Sequence, residues 1–222
     1  MGGHGTPRAI LLDALGTLLT FEPPAPHLRA ALRDSTGVDI GDDGARAALR
    51  AEMTYYRAHL DEGRDAASLH ELRVRCAEAM DLPFPTPVVL DALLRSLRFV
   101  AYPDSAGALR VLRTAGIRLV VVSNWDASLH ERLAETGLAP LLDGALASAE
   151  VGSAKPDGAI FAAALELAGV RAEEAWHVGD TVEADVDGAR AAGIQPVLIA
   201  REDPVPPGAI RSLDDLIPRL GR

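Results

Sequence analysis

The sequence predicts an α/β fold, in which a Rossmann-like parallel sheet carries helices on both faces and an all-helical domain is inserted after the first strand. The apolar run Ala9–Leu12 comes first and ends at an aspartate. Helical patterns without an intervening strand pattern then occupy about residues 27–99, and a regular alternation of helix and short strand follows from Tyr102. Helices that alternate with short β-branched runs are typical of a parallel sheet with helical crossovers.

The first predicted strand brings a charge to the edge of the sheet. Four consecutive apolar residues, Ala9–Leu12, are typical of a strand that is buried on both faces. Asp13 follows directly, Gly16 allows a sharp turn, and Thr17 offers a hydroxyl group beside the aspartate. Because an isolated buried carboxylate is very costly, Asp13 must be solvated, paired or bound to a metal ion. Taken alone, this window is equally typical of an aspartate in a strand-to-loop turn.

Residues 21–99 are predicted to form the inserted helical domain. The Pro-rich segment Phe21–Pro26 predicts an irregular connection. Apolar residues then recur at helical spacing in windows of about 27–35, 43–60, 68–80 and 87–99. The sheet domain therefore comprises residues 1–20 and 100–222.

Four predicted helices in the second half end at a glycine that can close a helix in the left-handed conformation. They are Ser105–Ala115, Ser128–Thr136, Asp157–Ala168 and Glu183–Ala192. Strands are predicted between and after them, at Ile117–Val122, Ala145–Ala147, Ala175–Val178 and Val197–Ala200. A short surface helix is predicted at Ser212–Leu220, after a Pro-rich loop.

Composition and charge exclude several classes of partner. The formal net charge of −10 disfavours binding to nucleic acid or to an anionic membrane surface. No apolar run is long enough to span a bilayer, and the first residues lack the pattern of a signal peptide. The single cysteine, Cys76, rules out an internal disulfide, and the histidines show no zinc-ligand spacing. We therefore expect a cytoplasmic protein without a nucleic-acid or membrane partner; its oligomeric state is not set by the sequence.

Polar residues follow three of the predicted strands. Asp13, Ser123 and Asp180 each come at the carboxyl end of a strand, and ligands of open parallel sheets bind at that edge. We therefore expect these residues to lie close together. Singly, each signal is weak: Ser123-Asn124 is also typical of a turn or helix cap, and Lys155 also fits a lysine before a helix capped by aspartate.

The residue types at this edge predict phosphoryl transfer. Asp13, Asp180 and Asp185 would repel one another, so a hard divalent cation such as Mg²⁺ is expected to neutralise them. Mg²⁺ commonly shares its oxygen ligands with a phosphate. Lys155 and Ser123 would then hold the remaining phosphoryl oxygens, while Asp13 acts as the nucleophile. The expected substrate is a small phosphorylated molecule.

Four ordered motifs resemble those of the haloacid dehalogenase superfamily of hydrolases, in the subgroup (subfamily I, C1-type cap) with a helical cap after the first strand. They are Asp13-Ala14-Leu15-Gly16-Thr17, Val122-Ser123-Asn124, Lys155-Pro156 and Gly179-Asp180 through Asp185, and the resemblance covers nearly the whole chain. The resemblance implies an aspartyl-phosphate intermediate at Asp13, and a cap that selects the substrate by closing over the sheet edge. It also implies Mg²⁺ held by Asp13, the backbone carbonyl of Leu15 and Asp180, with Asp185 in support. Substrate contacts are assigned to Thr17, Ser123, Asn124 and Lys155.

One position departs from the pattern of the superfamily's phosphatases. These enzymes usually carry a second aspartate, which protonates the leaving alcohol, where this chain has Leu15. Because general-acid help is typically worth ~10²–10⁴ in rate, an ordinary alkyl phosphate should react slowly. The substrate can instead have a good leaving group, or the cap can supply the acid. The alternatives are a 2-haloacid dehalogenase, with Arg50 as its substrate-contacting arginine, or a phosphate-binding protein with little turnover.

Overall fold

The structure, a computed structural model, describes residues 6–220. The strands are β1 (Ala9–Leu12), β2 (Leu19–Phe21), β3 (Phe99–Ala101), β4 (Arg118–Ser123), β5 (Gly144–Ala147), β6 (Ala175–Gly179) and β7 (Gln195–Leu198). Five of them form a parallel sheet in the order β5-β4-β1-β6-β7, while β2 and β3 pair separately. The predicted α/β fold is confirmed. The residues on which the signal-peptide expectation rests lie largely outside the described range.

The helices are α1 (Pro24–Thr36), α2 (Gly41–His59), α3 (Ala66–Ala79), α4 (Thr86–Ser96), α5 (Ser105–Thr114), α6 (Leu129–Glu135), α7 (Ser148–Val151), α8 (Gly158–Ala168) and α9 (Gly188–Ala191). A π-helical turn, Val182–Asp187, runs into α9, and a 3₁₀ helix occupies Leu213–Arg219. The four glycines predicted to close helices, at positions 116, 137, 169 and 193, all have positive φ.

Strand β1 lies at the centre of the sheet, and its register explains why polar residues gather at one edge. Leu12 pairs with Val121 of β4 and with Val178 of β6. Continuing that register puts Ser123 and Asp180 one residue beyond the level of Asp13, on its two sides. The four residues of β1 are fully buried, so both faces of the strand are covered. On one face, Phe161 of α8 and Ala189 of α9 join the cluster that contains Leu11.

The chain divides into two compact units. The sheet unit comprises residues up to Thr20, Ala101–Trp125 and the chain from Leu129 onward, and the helical unit comprises Phe21–Val100 with Asp126–Ser128. Apolar residues of α1, α3 and α4, such as Leu28, Leu72 and Leu93, form the core of the helical unit. The assignment of 21–99 as a separate functional domain stays a prediction.

Two local predictions in the helical unit were wrong. The predicted irregular segment 21–26 contains the first turn of α1, which includes Pro24 and Pro26. Proline is tolerated there because the backbone N–H groups of the first helical turn have no acceptor within the helix. The predicted helix 87–99 ends at Ser96, and Phe99 instead lies in β3. The rings of Phe21 and Phe99 pack with centroids 4.6 Å apart, which favours an extended pair over a further helical turn.

Within residues 6–220, none of the helices combines the length and apolar character needed to cross a bilayer.

Candidate active site

Asp13 receives two donors at the carboxyl end of β1. The hydroxyl of Ser123, the last residue of β4, donates to Asp13 Oδ1 over 3.0 Å. The ammonium group of Lys155 donates to the same oxygen over 2.7 Å. Asp13 is 6% exposed and Lys155 5% exposed, so the ion pair is largely shielded from water. The hydrogen bonds that the described residues donate to this side chain reach Oδ1, which leaves Oδ2 for another ligand.

Lys155 bridges two carboxylates. Its Nζ also donates to Asp185 Oδ1 over 2.6 Å. Burial alone would lower the pKa of Lys155, but the charges of Asp13 and Asp185 raise it above its ordinary value, so the ammonium form persists. Lys155 is the single lysine among the 22 basic residues of the sequence. A compact ammonium group fits between two close carboxylates better than the wide guanidinium fork, which explains the exception.

His177 holds Asp185 from inside the sheet. Its Nε2 lies 2.9 Å from Asp185 Oδ1, and its ring packs edge-on against Phe161 with centroids 5.1 Å apart. Burial and the nearby Lys155 charge lower the pKa of His177. The neutral ring therefore donates its Nε2 proton to the carboxylate. The sequence did not identify His177 as a partner of Asp185, because one residue lies in a strand and the other follows it after a turn.

Asp185 takes a fixed position against the strand. The backbone N–H of Thr181 donates to its Oδ2 over 2.9 Å. A Cβ at Gly179 would lie 2.1 Å from Asp185 Cγ, so only glycine leaves room for this side chain. Hydrogen bonds from His177 and the charge of Lys155 hold the pKa of Asp185 below its ordinary value despite burial. Asp185 is therefore ionised over the physiological pH range.

Asp180 packs against the turn that follows Asp13. Gly16 has φ +85°, and a Cβ there would lie 2.1 Å from Asp180 Oδ2. Asp180 is exposed, and the hydroxyl of Thr181 donates to its Oδ1 over 3.2 Å. Partial loss of solvent, together with the charges of Asp13 and Asp185, raises the pKa of Asp180 to about 6. Burial is the larger cause of this shift, and the negative charges of Asp13 and Asp185 add to it.

These residues fit a divalent cation. Asp13, Asp180 and Asp185 each offer a carboxylate oxygen within 4.8 Å of the others. An all-oxygen donor set of this kind suits a hard cation such as Mg²⁺. A bound cation would also relieve the repulsion that raises the pKa of Asp180. The site is therefore a candidate metal site by its own chemistry.

The remaining predicted site residues have other contacts. The amide group of Asn124 donates to the Lys155 carbonyl over 2.9 Å and accepts from the Lys155 N–H over 2.7 Å, so it holds the lysine segment. Thr17 is fully buried, and its hydroxyl has no partner within the described chain. Leu15 is 36% exposed in the turn between Asp13 and Gly16. The substrate contacts predicted for Thr17, Ser123, Asn124 and Lys155 stay predictions, as does metal binding by the Leu15 carbonyl.

The structure places an aspartate at the carboxyl end of the central strand of a parallel sheet, beside a lysine and two further carboxylates. The chain matches the family model described as haloacid dehalogenase-like hydrolase over residues 7–193, and it belongs to that family. The predicted resemblance to this superfamily is thereby confirmed, and the chain is a hydrolase of the haloacid dehalogenase-like type.

Relatives span most of the chain. The chain is 40% identical to the phosphoserine phosphatase of Thermus thermophilus over an alignment of 232 positions, gaps included, which covers 89% of this chain and 92% of that protein. It is 39% identical over 212 positions to haloacid dehalogenase-like hydrolase domain-containing protein 3 of Mus musculus, covering 89% of this chain and 84% of that protein. The match to the Bos taurus protein of the same name is shorter, since this chain spans 48% of it. The solved structure of a HAD phosphatase from Thermococcus onnurineus superposes with a TM-score of 0.66 at 28% identity, covering 94% of this chain and 95% of that one.

Proposed function

We propose that this chain is a Mg²⁺-dependent phosphatase that acts on a small phosphorylated molecule through an aspartyl-phosphate at Asp13. The observation that carries the proposal is the cluster of Asp13, Asp180 and Asp185 oxygens within 4.8 Å of one another, with the Lys155 ammonium 2.7 Å from Asp13. Relatives named as phosphatases support the same class of reaction. Mg²⁺ bound there would supply charge neutralisation at the transferring phosphoryl group.

Asp13 is the proposed nucleophile. Lys155 and Ser123 hold its Oδ1, so Oδ2 is the oxygen that we propose attacks the substrate phosphorus. A bond forms between Oδ2 and phosphorus while the bond from phosphorus to the leaving oxygen breaks, and the leaving oxygen keeps the electron pair. Water then attacks the phosphorus of the aspartyl-phosphate. The Asp13–phosphorus bond breaks and the carboxylate is restored. Both protons of the attacking water leave on inorganic phosphate, as H2PO4⁻, which can then give one to solvent or to the departed oxyanion.

Leu15 limits the leaving group. An aliphatic side chain at this position cannot protonate the departing oxygen, and general-acid help is typically worth ~10²–10⁴ in rate. We therefore propose a preferred substrate whose leaving oxygen is stable without a proton, such as an acyl or aryl phosphate. The helical unit, residues 21–99, is proposed as a cap that selects this substrate and can contribute an acid for poorer leaving groups.

Dehalogenation is the second candidate, and Leu15 is the observation that favours it, because a departing halide needs no proton. The carboxylate cluster argues against it. A 2-haloacid is itself an anion, and without a metal ion it would meet three carboxylates against a single ammonium group. Arg50, the candidate substrate arginine, lies exposed on α2.

A panel of substrates tests the proposal. We expect Mg²⁺-dependent phosphate release from acetyl phosphate and p-nitrophenyl phosphate, with slower release from phosphoserine and other alkyl phosphates. Asp13→Asn should abolish release, whereas Asp187→Asn, at an exposed aspartate beside the metal-site segment, should keep it. Halide release from a 2-haloacid in EDTA would favour dehalogenation. Tight phosphate binding without turnover of any of these substrates would instead favour the phosphate-binding protein.

Leu15→Asp tests the account of the leaving group. Placing a carboxyl group there should speed the hydrolysis of alkyl phosphates more than that of acetyl phosphate. Leu15→Asn, which has similar size and polarity but no acidic proton, is the matched control. Equal effects of both variants on all substrates would contradict the view that a missing acid limits the rate.

The proposed location is the cytoplasm. A chain with one cysteine, Cys76, buried in the helical unit, forms no internal disulfide and suits a reducing compartment. Fractionation of cells that express the tagged protein tests this assignment.

A further inference from the structure

The turn between Asp13 and β2 is closed by its own backbone. The N–H groups of Leu18 and Leu19 both donate to the Ala14 carbonyl over 2.8 Å, and the Gly16 N–H donates to the Leu19 carbonyl over 2.8 Å. These bonds shape the turn that carries Leu15. They do not attach it to the rest of the sheet unit, so the turn depends on other groups for its position.

Two successive carbonyls of the turn are held from outside. The Leu18 carbonyl accepts the Tyr102 N–H over 3.0 Å and the Ser105 hydroxyl over 2.9 Å. The Thr17 carbonyl accepts a hydrogen bond from Nη2 of Arg201. Arg201 follows β7, far along the chain from the turn. The segment after the last strand therefore reaches back to the backbone beside the proposed nucleophile.

Arg201 is itself held by the Asp104 carboxylate and by the Tyr102 ring. Its Nη1 lies 2.8 Å from Asp104 Oδ1 and 2.7 Å from Oδ2. Its guanidinium carbon lies 4.0 Å above the centre of the Tyr102 ring, in cation–π geometry. Its side chain is only 13% exposed. Because Asp104 and Tyr102 restrict the movement of the guanidinium group, its hydrogen bond also restricts the movement of the Thr17 carbonyl.

Asp104 connects this contact to the end of the chain. Its Oδ2 also accepts the Ser212 hydroxyl over 2.8 Å and the Leu213 N–H over 2.6 Å. Hydrogen bonds from Arg201, Leu213 and Ser212 keep the pKa of Asp104 below its ordinary value, although partial burial opposes them. The carboxylate thus gathers donors from Arg201 and from the start of the terminal 3₁₀ helix, and the whole arrangement lies within the sheet unit.

We propose that Arg201 is a positioning residue of the active site, which fixes the Asp13–Leu18 turn through the Thr17 carbonyl. The proposal rests on the proposed function only for its effect on metal binding; its effect on the turn is independent of the reaction. A planar guanidinium can bind a carboxylate with one nitrogen and a carbonyl with another, while stacking on a ring. A lysine ammonium cannot make all three contacts at once.

Arg201→Lys and Arg201→Met test the proposal. In metal-free protein, we expect the Leu18 and Leu19 amides to exchange with deuterium about tenfold faster in both variants. The Mg²⁺ concentration that half-saturates the protein, measured by calorimetry, should rise because the same turn carries Asp13 and the Leu15 carbonyl. Removing a hydrogen-bond partner directly behind a metal ligand typically costs ~10–100-fold in affinity, which sets the upper bound for this less direct contact. The Mg²⁺ concentration for half-maximal activity should rise in parallel, with a smaller change in the activity at saturating Mg²⁺.

Two controls separate positioning from general destabilisation. Arg110→Met removes an exposed arginine from α5 and should change none of these measurements. Ile160→Val removes a buried methylene from α8, which should lower the melting temperature without changing Mg²⁺ binding. Unchanged exchange at Leu18 and Leu19 in both Arg201 variants would overturn the proposal. Faster exchange in the Arg201 variants, in a protein whose wild type shows no phosphatase activity, would support it and refute only the proposed function.

Discussion

Replacing Lys155 with methionine should destabilise the folded protein because two buried carboxylates lose their shared counter-ion. The ammonium nitrogen lies 2.7 Å from Asp13 Oδ1 and 2.6 Å from Asp185 Oδ1. Methionine fills a similar volume but donates no hydrogen bond. Removing one partner of a buried ion pair costs about 3–5 kcal/mol. Ser123 still donates to Asp13, and His177 to Asp185, so we expect the lower end of that range, about 3 kcal/mol.

The pH dependence of this loss has a definite sign. The pKa of Asp185 is depressed in the folded protein, so its stabilising contribution is present above its ordinary pKa and disappears as the pH falls through the folded-state value. The difference in unfolding free energy between wild type and Lys155→Met should therefore be largest near neutral pH and shrink in acid. Mg²⁺ should narrow the difference at neutral pH, because it replaces part of the lost positive charge.

Urea unfolding followed by circular dichroism, at a series of pH values with and without Mg²⁺, provides the measurement. Arg190→Met is the matched control, because Arg190 pairs with Asp187 at the surface and exposed pairs contribute little. A loss below about 1 kcal/mol at neutral pH, the scale of an exposed pair, would refute the reasoning. A loss that grows in acid would refute it as well.

Three further predictions concern single groups. Because the chain has one lysine, protein labelled at lysine Cε should give one labelled NMR signal; the pKa of Lys155 that it reports should lie above the ordinary lysine value and fall in Asp185→Asn. Burial raises the pKa of Glu52 to about 7, so the protonated side chain contributes fully to stability below pH 4.5, and this contribution is lost as the pH rises through 7. In urea unfolding, the unfolding free energy of Glu52→Gln should therefore rise by about 3 kcal/mol relative to that of wild type across this interval. Gly16→Ala should weaken Mg²⁺ binding in calorimetry at least tenfold, because its Cβ would overlap Asp180 Oδ2 at 2.1 Å and its φ of +85° is strained for alanine.

The sequence predicted the sheet because its signals there are local and repeated. The run Ala9–Leu12 and the glycines that close helices each carry information about their own neighbourhood, and the structure confirms them. The gathering of Asp13, Ser123 and Asp180 followed from topology alone, since parallel strands that carry polar residues at their carboxyl ends must bring them to one edge. No contact needed to be known for that prediction.

The contacts that the sequence did not predict depend on the third dimension. His177 meets Asp185 because the chain turns back after β6, so that the π-helical turn Val182–Asp187 lies against the strand. Arg201 reaches Thr17 across most of the length of the chain. Strands β2 and β3 are three residues each, too short for alternation to show. The use of a lone lysine at position 155, in a chain otherwise rich in arginine, was a signal in the sequence that remained unused.

The charge of the site favours the proposed metal ion without appeal to any relative. Three carboxylates and one ammonium leave two negative charges at the edge, since the lowered pKa of His177 keeps its ring neutral. Two like charges 4.8 Å apart repel by about 3 kcal/mol at an effective dielectric of about 20. A phosphate dianion approaching Asp13 would meet several such repulsions, and one divalent cation would remove most of them. The apolar side chain of Leu15 keeps that balance unchanged, whereas an aspartate there would add one more negative charge whenever it is ionised.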